Sequence, residues 1–218
     1  MESFIGFGTK TLQDFLVPPS QKVYVVDDDP EILSVLSQTL SRAGLDAELY
    51  DSCKQFLAAY DAERPGCILL DISMPEMDGM QLLDVLNEKS NQTPVIFLTG
   101  TATVGAAVEA LKCGAVDFIE KPYRAAPLVE SVRNALLLDK ERRDQRGALE
   151  DITRRYEKLT AREKEVMFWM AEGKANKVIA DILEISSRTV EIYRKNIYDK
   201  LEASSVAEIV KMKLLLEE

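Results

Sequence analysis

Residues 67–79 read Cys67-Ile68-Leu69-Leu70-Asp71-Ile72-Ser73-Met74-Pro75-Glu76-Met77-Asp78-Gly79. Four apolar residues run straight into an aspartate, and a loop with one proline, two more acids and a glycine follows. Such an unbroken apolar run suits a strand covered on both faces, as in a parallel sheet. A carboxylate is expensive to bury, so Asp71 belongs at the strand's end, where the chain leaves the core.

The flanking segments repeat this pattern. Lys22-Val23-Tyr24-Val25-Val26 reads as a first strand, followed by Asp27, Asp28 and Asp29. Asp29 is an N-cap candidate with Pro30 at the first helical position. Ile32, Val35, Leu36 and Leu40 then recur at helical spacing, and Gly44 ends that helix. Residues 47–50 form a second strand, and Ser52 caps a helix carrying Phe56 and Leu57. A helix over 79–89, a strand over 94–99, a helix from near Thr103 to Cys113 and a short strand at Asp117–Ile119 complete the alternation. Strands alternating with helices of this length mean βαβ units and a five-stranded parallel sheet.

The remainder is helical in pattern. From Pro127 to about Leu159 only Gly147 interrupts a run rich in Arg, Glu, Asp and Leu. Leu149, Ile152, Tyr156 and Leu159 are spaced as in a coiled-coil seam. Asp139, Arg142 and Arg146 occupy the seam positions upstream, so a solvated linker helix competes with that reading. Thr160-Ala161-Arg162-Glu163 is a capping box that opens a helix ending at Gly173. A short helix around Val178–Leu183 follows, then one capped by Ser187 and running to about Leu201, and one over 205–216. Short helix, turn and second helix form the helix-turn-helix pattern. The expected division is therefore an arm (1–20), an α/β domain (21–125), a helical linker (126–159) and an all-α domain (160–218). In the arm, Phe4, Phe7, Phe15 and Leu16 allow either an amphipathic docking segment or a frayed tail.

Composition narrows the chemistry. The 218 residues contain no histidine, which excludes His-based zinc sites, Ser-His and Cys-His triads and a phosphohistidine on this chain. The three cysteines have neither metal nor disulfide spacing and suit a reducing cytoplasm. No apolar stretch approaches the ~20 residues of a membrane span. Of the formal net charge of −10, residues 21–125 hold 17 acidic and 8 basic side chains. The last 59 residues are near neutral, with 11 acidic and 10 basic.

Ligands of an open parallel sheet bind beyond the carboxyl ends of its strands. The strands place there Asp27 and Asp28, Asp71, Thr99 and Lys121. Three carboxylates repel unless a cation intervenes, and a hard divalent ion with oxygen ligands, such as Mg2+, resolves that. An ammonium and a hydroxyl would complete the surroundings of a phosphoryl group. An aspartate can itself accept that group as an acyl phosphate.

VVDDD, LLDISMPEMDG, FLTG and FIEKP, in this order, resemble the receiver domain of two-component response regulators over residues 21–125. The resemblance implies a flavodoxin-like fold with the phosphoacceptor on Asp71. It implies Mg2+ held by Asp27, Asp28, Asp71 and the backbone carbonyl of Ser73, with Asp28 a direct ligand. Thr99 falls on the switch hydroxyl, Lys121 on the family's lysine and Phe118 on the switch aromatic. Phe118 lacks the hydroxyl that a tyrosine would bring. Lys121-Pro122 is expected to be cis. LTAREKEVMFWMAEGKANKVIADILEISSRTVEIYRKNIYDKL is similar to the helix-turn-helix of NarL/FixJ/LuxR-type regulators. That places base contacts on Glu191, Ile192 and Lys195 and phosphate contacts on Lys177, Arg188 and Arg194, with Val190, Ile197 and Leu201 in the core. Tyr193 stands where the family often has histidine.

The resemblance implies a cytoplasmic transcriptional regulator rather than an enzyme. Its partners would be a sensor histidine kinase, double-stranded promoter DNA, RNA polymerase and, once phosphorylated, a second copy of itself. Two alternatives compete. An aspartyl-phosphate phosphatase needs a second acid two residues after the nucleophile, where this chain has Ser73. A DNA-binding protein with a degenerate receiver would lack part of the acidic site, yet every required side chain is present.

Overall fold

The computed structural model describes residues 21–89, 92–100 and 111–217. The arm over 1–20 and most of the expected helix from Thr103 to Cys113 lie outside the described residues. The chain divides into two compact units, parting between Arg142 and Arg143.

In the N-terminal unit, strands β1 (Lys22–Val26), β2 (Asp46–Tyr50), β3 (Gly66–Asp71), β4 (Val95–Thr99) and β5 (Asp117–Glu120) form one sheet. The order is β2-β1-β3-β4-β5 and every pairing is parallel. Side chains alternate between two cores, as strand geometry dictates. Tyr24, Val26, Ile68, Leu70 and Phe97 face a core with Phe56 of α2 (Cys53–Ala59) and Leu82, Leu83 and Leu86 of α3 (Gly79–Glu88). Val23, Val25, Leu69, Ile96 and Leu98 face the other, with Leu36 and Leu40 of α1 (Pro30–Arg42). Both faces are covered, which explains why β1, β3 and β4 read as continuous apolar runs.

The helix ends follow from local chemistry. The Asp29 side chain accepts from Glu31 N ahead of Pro30, and Gly44 takes the left-handed conformation after α1. Asp78 and Gln81 build a capping box at α3 that the sequence reading did not anticipate.

The helix α4 (Ala125–Glu157) departs from the expected linker. Its first half belongs to the N-terminal unit: Leu128, Val132, Ala135 and Leu136 complete the second core. Asp139 is only 1% exposed, and its Oδ2 accepts from Gly66 N at 2.9 Å and from Gln21 Nε2 at 3.1 Å. The core of the N-terminal unit therefore runs past the boundary expected at residue 125. Asp139 interrupts the heptad seam because it serves the amino-terminal edge of the sheet.

The C-terminal unit holds the last turns of α4 with α5 (Ala161–Ala171), α6 (Asn176–Leu183), α7 (Ser187–Leu201) and α8 (Val206–Glu217). Val166, Met167, Met170, Ile179, Val190, Ile197, Leu201 and Ile209 form its core. Tyr156 and Leu159 pack into this core, so part of the apparent coiled-coil seam is satisfied within the unit. The expected Thr160–Glu163 capping box is present. Ser186, rather than Ser187, caps α7, accepting from Thr189 N.

Candidate functional site

The order in which strands are added reverses at β1: β2 lies on one side and β3 on the other. That switch opens a crevice at the carboxyl ends of β1 and β3. Val26 is in register with Leu70, so Asp27 and Asp71 leave the sheet side by side. Thr99 is in register with Glu120, which delivers Lys121 to the same edge.

Lys121 Nζ donates to Asp27 Oδ2 and to Asp71 Oδ1, both at 2.6 Å. Asp27 Oδ1 also accepts from Asp29 N at 3.0 Å, and Asp71 Oδ2 from Ser73 N at 2.8 Å. Both carboxylates are nearly inaccessible, as is Thr99. Thr99 O accepts from Lys121 N at 2.7 Å, and the Lys121–Pro122 peptide is cis. Two buried carboxylates thus share one ammonium. Burial pushes the Asp71 carboxyl up, and Asp27 adds to this; the Lys121 ammonium opposes both without cancelling them. Burial depresses the Lys121 ammonium, but its two carboxylate partners outweigh that and raise it.

The structure brings Asp27, Asp71, Thr99 and Lys121 together and leaves Asp28 exposed at the lip. Phe118, in register with Phe97 on β4, is half-buried against the first core. Among the described residues no three acidic, His or Cys side chains are gathered closely enough to hold a metal ion. The donor types nevertheless suit Mg2+, being hard oxygens around a point that already holds a cationic group.

Several groups that shape the site were not apparent from sequence. Cys53 Sγ donates to Met77 O at 3.3 Å and pins the loop after Asp71, while burial pushes this thiol up to about 11. Glu76 in the same loop has φ +64°. Gly79 N donates to Ile72 O at 2.9 Å, folding the start of α3 back onto the end of β3. A Cβ on Gly79 would overlap the Asp71 carbonyl oxygen and lie 3.1 Å from Ile72 Cα. Gly79→Ala is therefore expected to cost about 2 kcal/mol, the usual price of overpacking. Chemical denaturation of the N-terminal unit reads that loss.

In the C-terminal unit, α7 presents Arg188, Glu191, Ile192 and Lys195 to solvent, with Ile192 52% exposed. Arg188 and Glu191 form an exposed ion pair at 3.4 Å. Arg194 is half-buried, its guanidinium 6.0 Å from the Tyr198 ring centre, and Lys177 is exposed on α6. Val190, Ile197 and Leu201 on the opposite face are buried, and Tyr193 packs at the edge of the core.

Comparison with known proteins accounts for both units. The response regulator receiver domain family matches residues 23–133, and the luxR family of bacterial regulatory proteins matches residues 157–213. The chain is 40% identical to the transcriptional regulatory protein FixJ of Azorhizobium caulinodans over 199 residues, covering 91% of this chain and 94% of that one. It is 36% identical to the response regulator protein TodT of Pseudomonas putida over 190 residues, covering 87% and 84%. Among solved structures, the response regulator StyR matches with a TM-score of 0.82 at 34% identity, covering 89% of this chain and 98% of that one. Full-length FixJ from B. japonicum matches with a TM-score of 0.56 at 34% identity, covering 90% and 97%.

Proposed function

The chain belongs to the NarL/FixJ family of two-component response regulators, a receiver domain joined to a LuxR-type DNA-binding domain, and on that premise we propose that Asp71 is its phosphoacceptor. The protein is a phosphorylation-dependent transcriptional regulator, not an enzyme. The observation that carries the assignment is the Lys121 ammonium bridging Asp27 and Asp71 at the strand switch. An Asp71 carboxylate oxygen attacks the phosphorus of a phosphohistidine on a sensor kinase. The new O–P bond forms as the P–N bond breaks, and the imidazole nitrogen leaves with the electron pair.

Receiver domains generally bind Mg2+ for this reaction. Asp27, Asp28, Asp71 and the Ser73 carbonyl would hold it here, and the ion would neutralise charge on the phosphoryl oxygens. Lys121 exchanges one of its carboxylate partners for a phosphoryl oxygen. Thr99, at the end of β4, supplies a hydroxyl to another, and Phe118 turns inward behind it. This is a local charge change biasing a two-state element.

The output is a homodimer on promoter DNA, acting with RNA polymerase in the cytoplasm. Glu191, Ile192 and Lys195 meet base edges, and Lys177, Arg188 and Arg194 meet phosphates. A near-neutral DNA-binding unit has little non-specific affinity, so pairing two copies supplies the missing strength. The receiver is proposed to span 21–142, so the linker is shorter than the sequence suggests.

The test is phosphoryl incorporation from acetyl phosphate, followed by intact mass. One phosphoryl group per chain is expected with Mg2+ and none with excess chelator. Incorporation that ignores the chelator would sink the metal assignment.

A further inference from the structure

The last carbonyls of a helix lack partners inside it. At the end of α7, Tyr198 O accepts from Glu202 N and Ala203 N. Leu201 O is met by another helix: Arg155 Nη1, on the last turn of α4, donates to it at 3.1 Å. Nη2 of the same guanidinium pairs with Glu202 Oε2 at 3.2 Å and with Asp151 Oδ2 at 2.5 Å. One planar fork thus spans a backbone carbonyl, the carboxylate of the following residue and a carboxylate one turn back on its own helix. All four residues belong to the C-terminal unit.

A cation near a helix C-terminus is ordinary, but two features go beyond dipole compensation. The Arg155 side chain is only 24% exposed, so its fork is held rather than waving in solvent. Glu202 has φ +54°, a left-handed conformation that favours glycine. The ion pair with Arg155 offsets the cost of keeping an acid there. Lys200 ties the same last turn of α7 to Glu163 on α5. The carboxyl end of α7 is therefore gripped from two helices.

The reading face lies toward the other end. Arg188, Glu191, Ile192 and Lys195 fall on one stripe of α7 at i, i+3, i+4 and i+7. Arg188 is about 20 Å along the axis from Leu201, so a tilt of ~10° at the carboxyl end moves it by ~3 Å. Base-edge hydrogen bonds do not survive such a shift, whereas attraction to the phosphate backbone does.

We propose that Arg155 is a positioning residue for DNA reading: by holding Leu201 O and Glu202 it fixes the direction in which α7 presents its reading face. The last turns of α4 are thereby part of the DNA-reading apparatus. This rests on α7 being the recognition helix.

The test uses the full-length protein treated with acetyl phosphate and Mg2+, a duplex that wild type selects from a random pool, and an unrelated duplex of equal length. Arg155→Gln is expected to lower the ratio of the two affinities about tenfold, as for one lost base contact. Affinity for the unrelated duplex and its salt dependence should stay as in wild type. Arg155→Lys reaches Leu201 O with one donor but cannot span the fork, so its ratio should fall between the two. Emission of Trp169, the chain's one tryptophan, confirms that each variant is folded at the assay temperature. Where Arg155→Gln is not, Arg155→Lys carries the test. An unchanged ratio in both variants overturns the proposal. So does an equal loss on both duplexes with a salt slope smaller by about one, which would make Arg155 a phosphate contact. Lys195→Ala, run alongside, separates two failures. If it lowers the ratio while the Arg155 variants do not, only the positioning role falls; if none of them does, the reading of α7 falls as well.

Discussion

Asp71→Asn is expected to abolish phosphoryl incorporation completely while leaving the receiver within about 1 kcal/mol of wild-type stability, or above it. A carboxamide cannot form the acyl phosphate. The stability follows from charge. Lys121 Nζ serves two buried carboxylates at 2.6 Å each, so the group carries one negative charge too many. Neutralising one partner leaves a matched ion pair, against which stands the acceptor lost for Ser73 N. Lys121→Ala should act in the opposite direction. It leaves two buried carboxylates facing one another without a cation, at a cost of about 3 kcal/mol, part of which Mg2+ should restore. Denaturant midpoints of the receiver transition, with and without Mg2+, measure both. Equal losses in the two variants would mean that the three residues act only as packing, and the charge argument would fail.

The cluster of Asp27, Asp71, Thr99 and Lys121 was legible because strand ends are legible. An apolar run that stops on Asp71, another that stops on Asp27 and a third on Thr99 are local patterns. Parallel pairing alone brings their ends together. The capping signals at Asp29–Pro30 and Thr160–Glu163 are equally local, and both are present. Contacts that join distant segments were not readable. Asp139 looked like a flaw in a heptad seam, whereas it binds Gly66 N, 73 residues away in sequence. Cys53 carries no sequence signal that would send its thiol to the carbonyl of Met77. Glu184 and Glu202 both cap helices in the left-handed conformation, a geometry that sequence preference assigns to Gly or Asn. On the DNA face, helical periodicity identified the buried side of α7, but exposure alone does not choose which outward side chains meet bases. Those assignments rest on family resemblance.

Glu163→Ala is expected to destabilise the C-terminal unit by about 3 kcal/mol, a large share of a small domain's stability. Glu163 Oε2 accepts from Thr160 N at 2.8 Å, Thr160 Oγ1 at 3.0 Å and Lys200 Nζ at 2.6 Å. The first two bonds close the amino terminus of α5, and the third ties it to the last turn of α7, the proposed recognition helix. The Glu163 side chain is only 4% exposed, so truncation strands the Thr160 N–H without water to replace its partner. Lys200 is less buried and can turn outward, which is why Glu163→Gln, able to keep the box, should lose less, about 1–2 kcal/mol. Burial pushes the Glu163 carboxyl up, but the bonds from Lys200 and Thr160 outweigh it and hold the group below the usual carboxylate range. A carboxylate held lower in the folded state than in the unfolded one contributes fully above the unfolded value of about 4.3. The contribution fades as pH falls through the folded value. Wild type should therefore lose stability on acidification below about pH 4.5 more steeply than Glu163→Gln, which has no proton to gain. Trp169, on α5 itself, reports this unit's unfolding in urea at each pH. Parallel acid limbs for the two proteins would remove Glu163 as the source of that pH dependence.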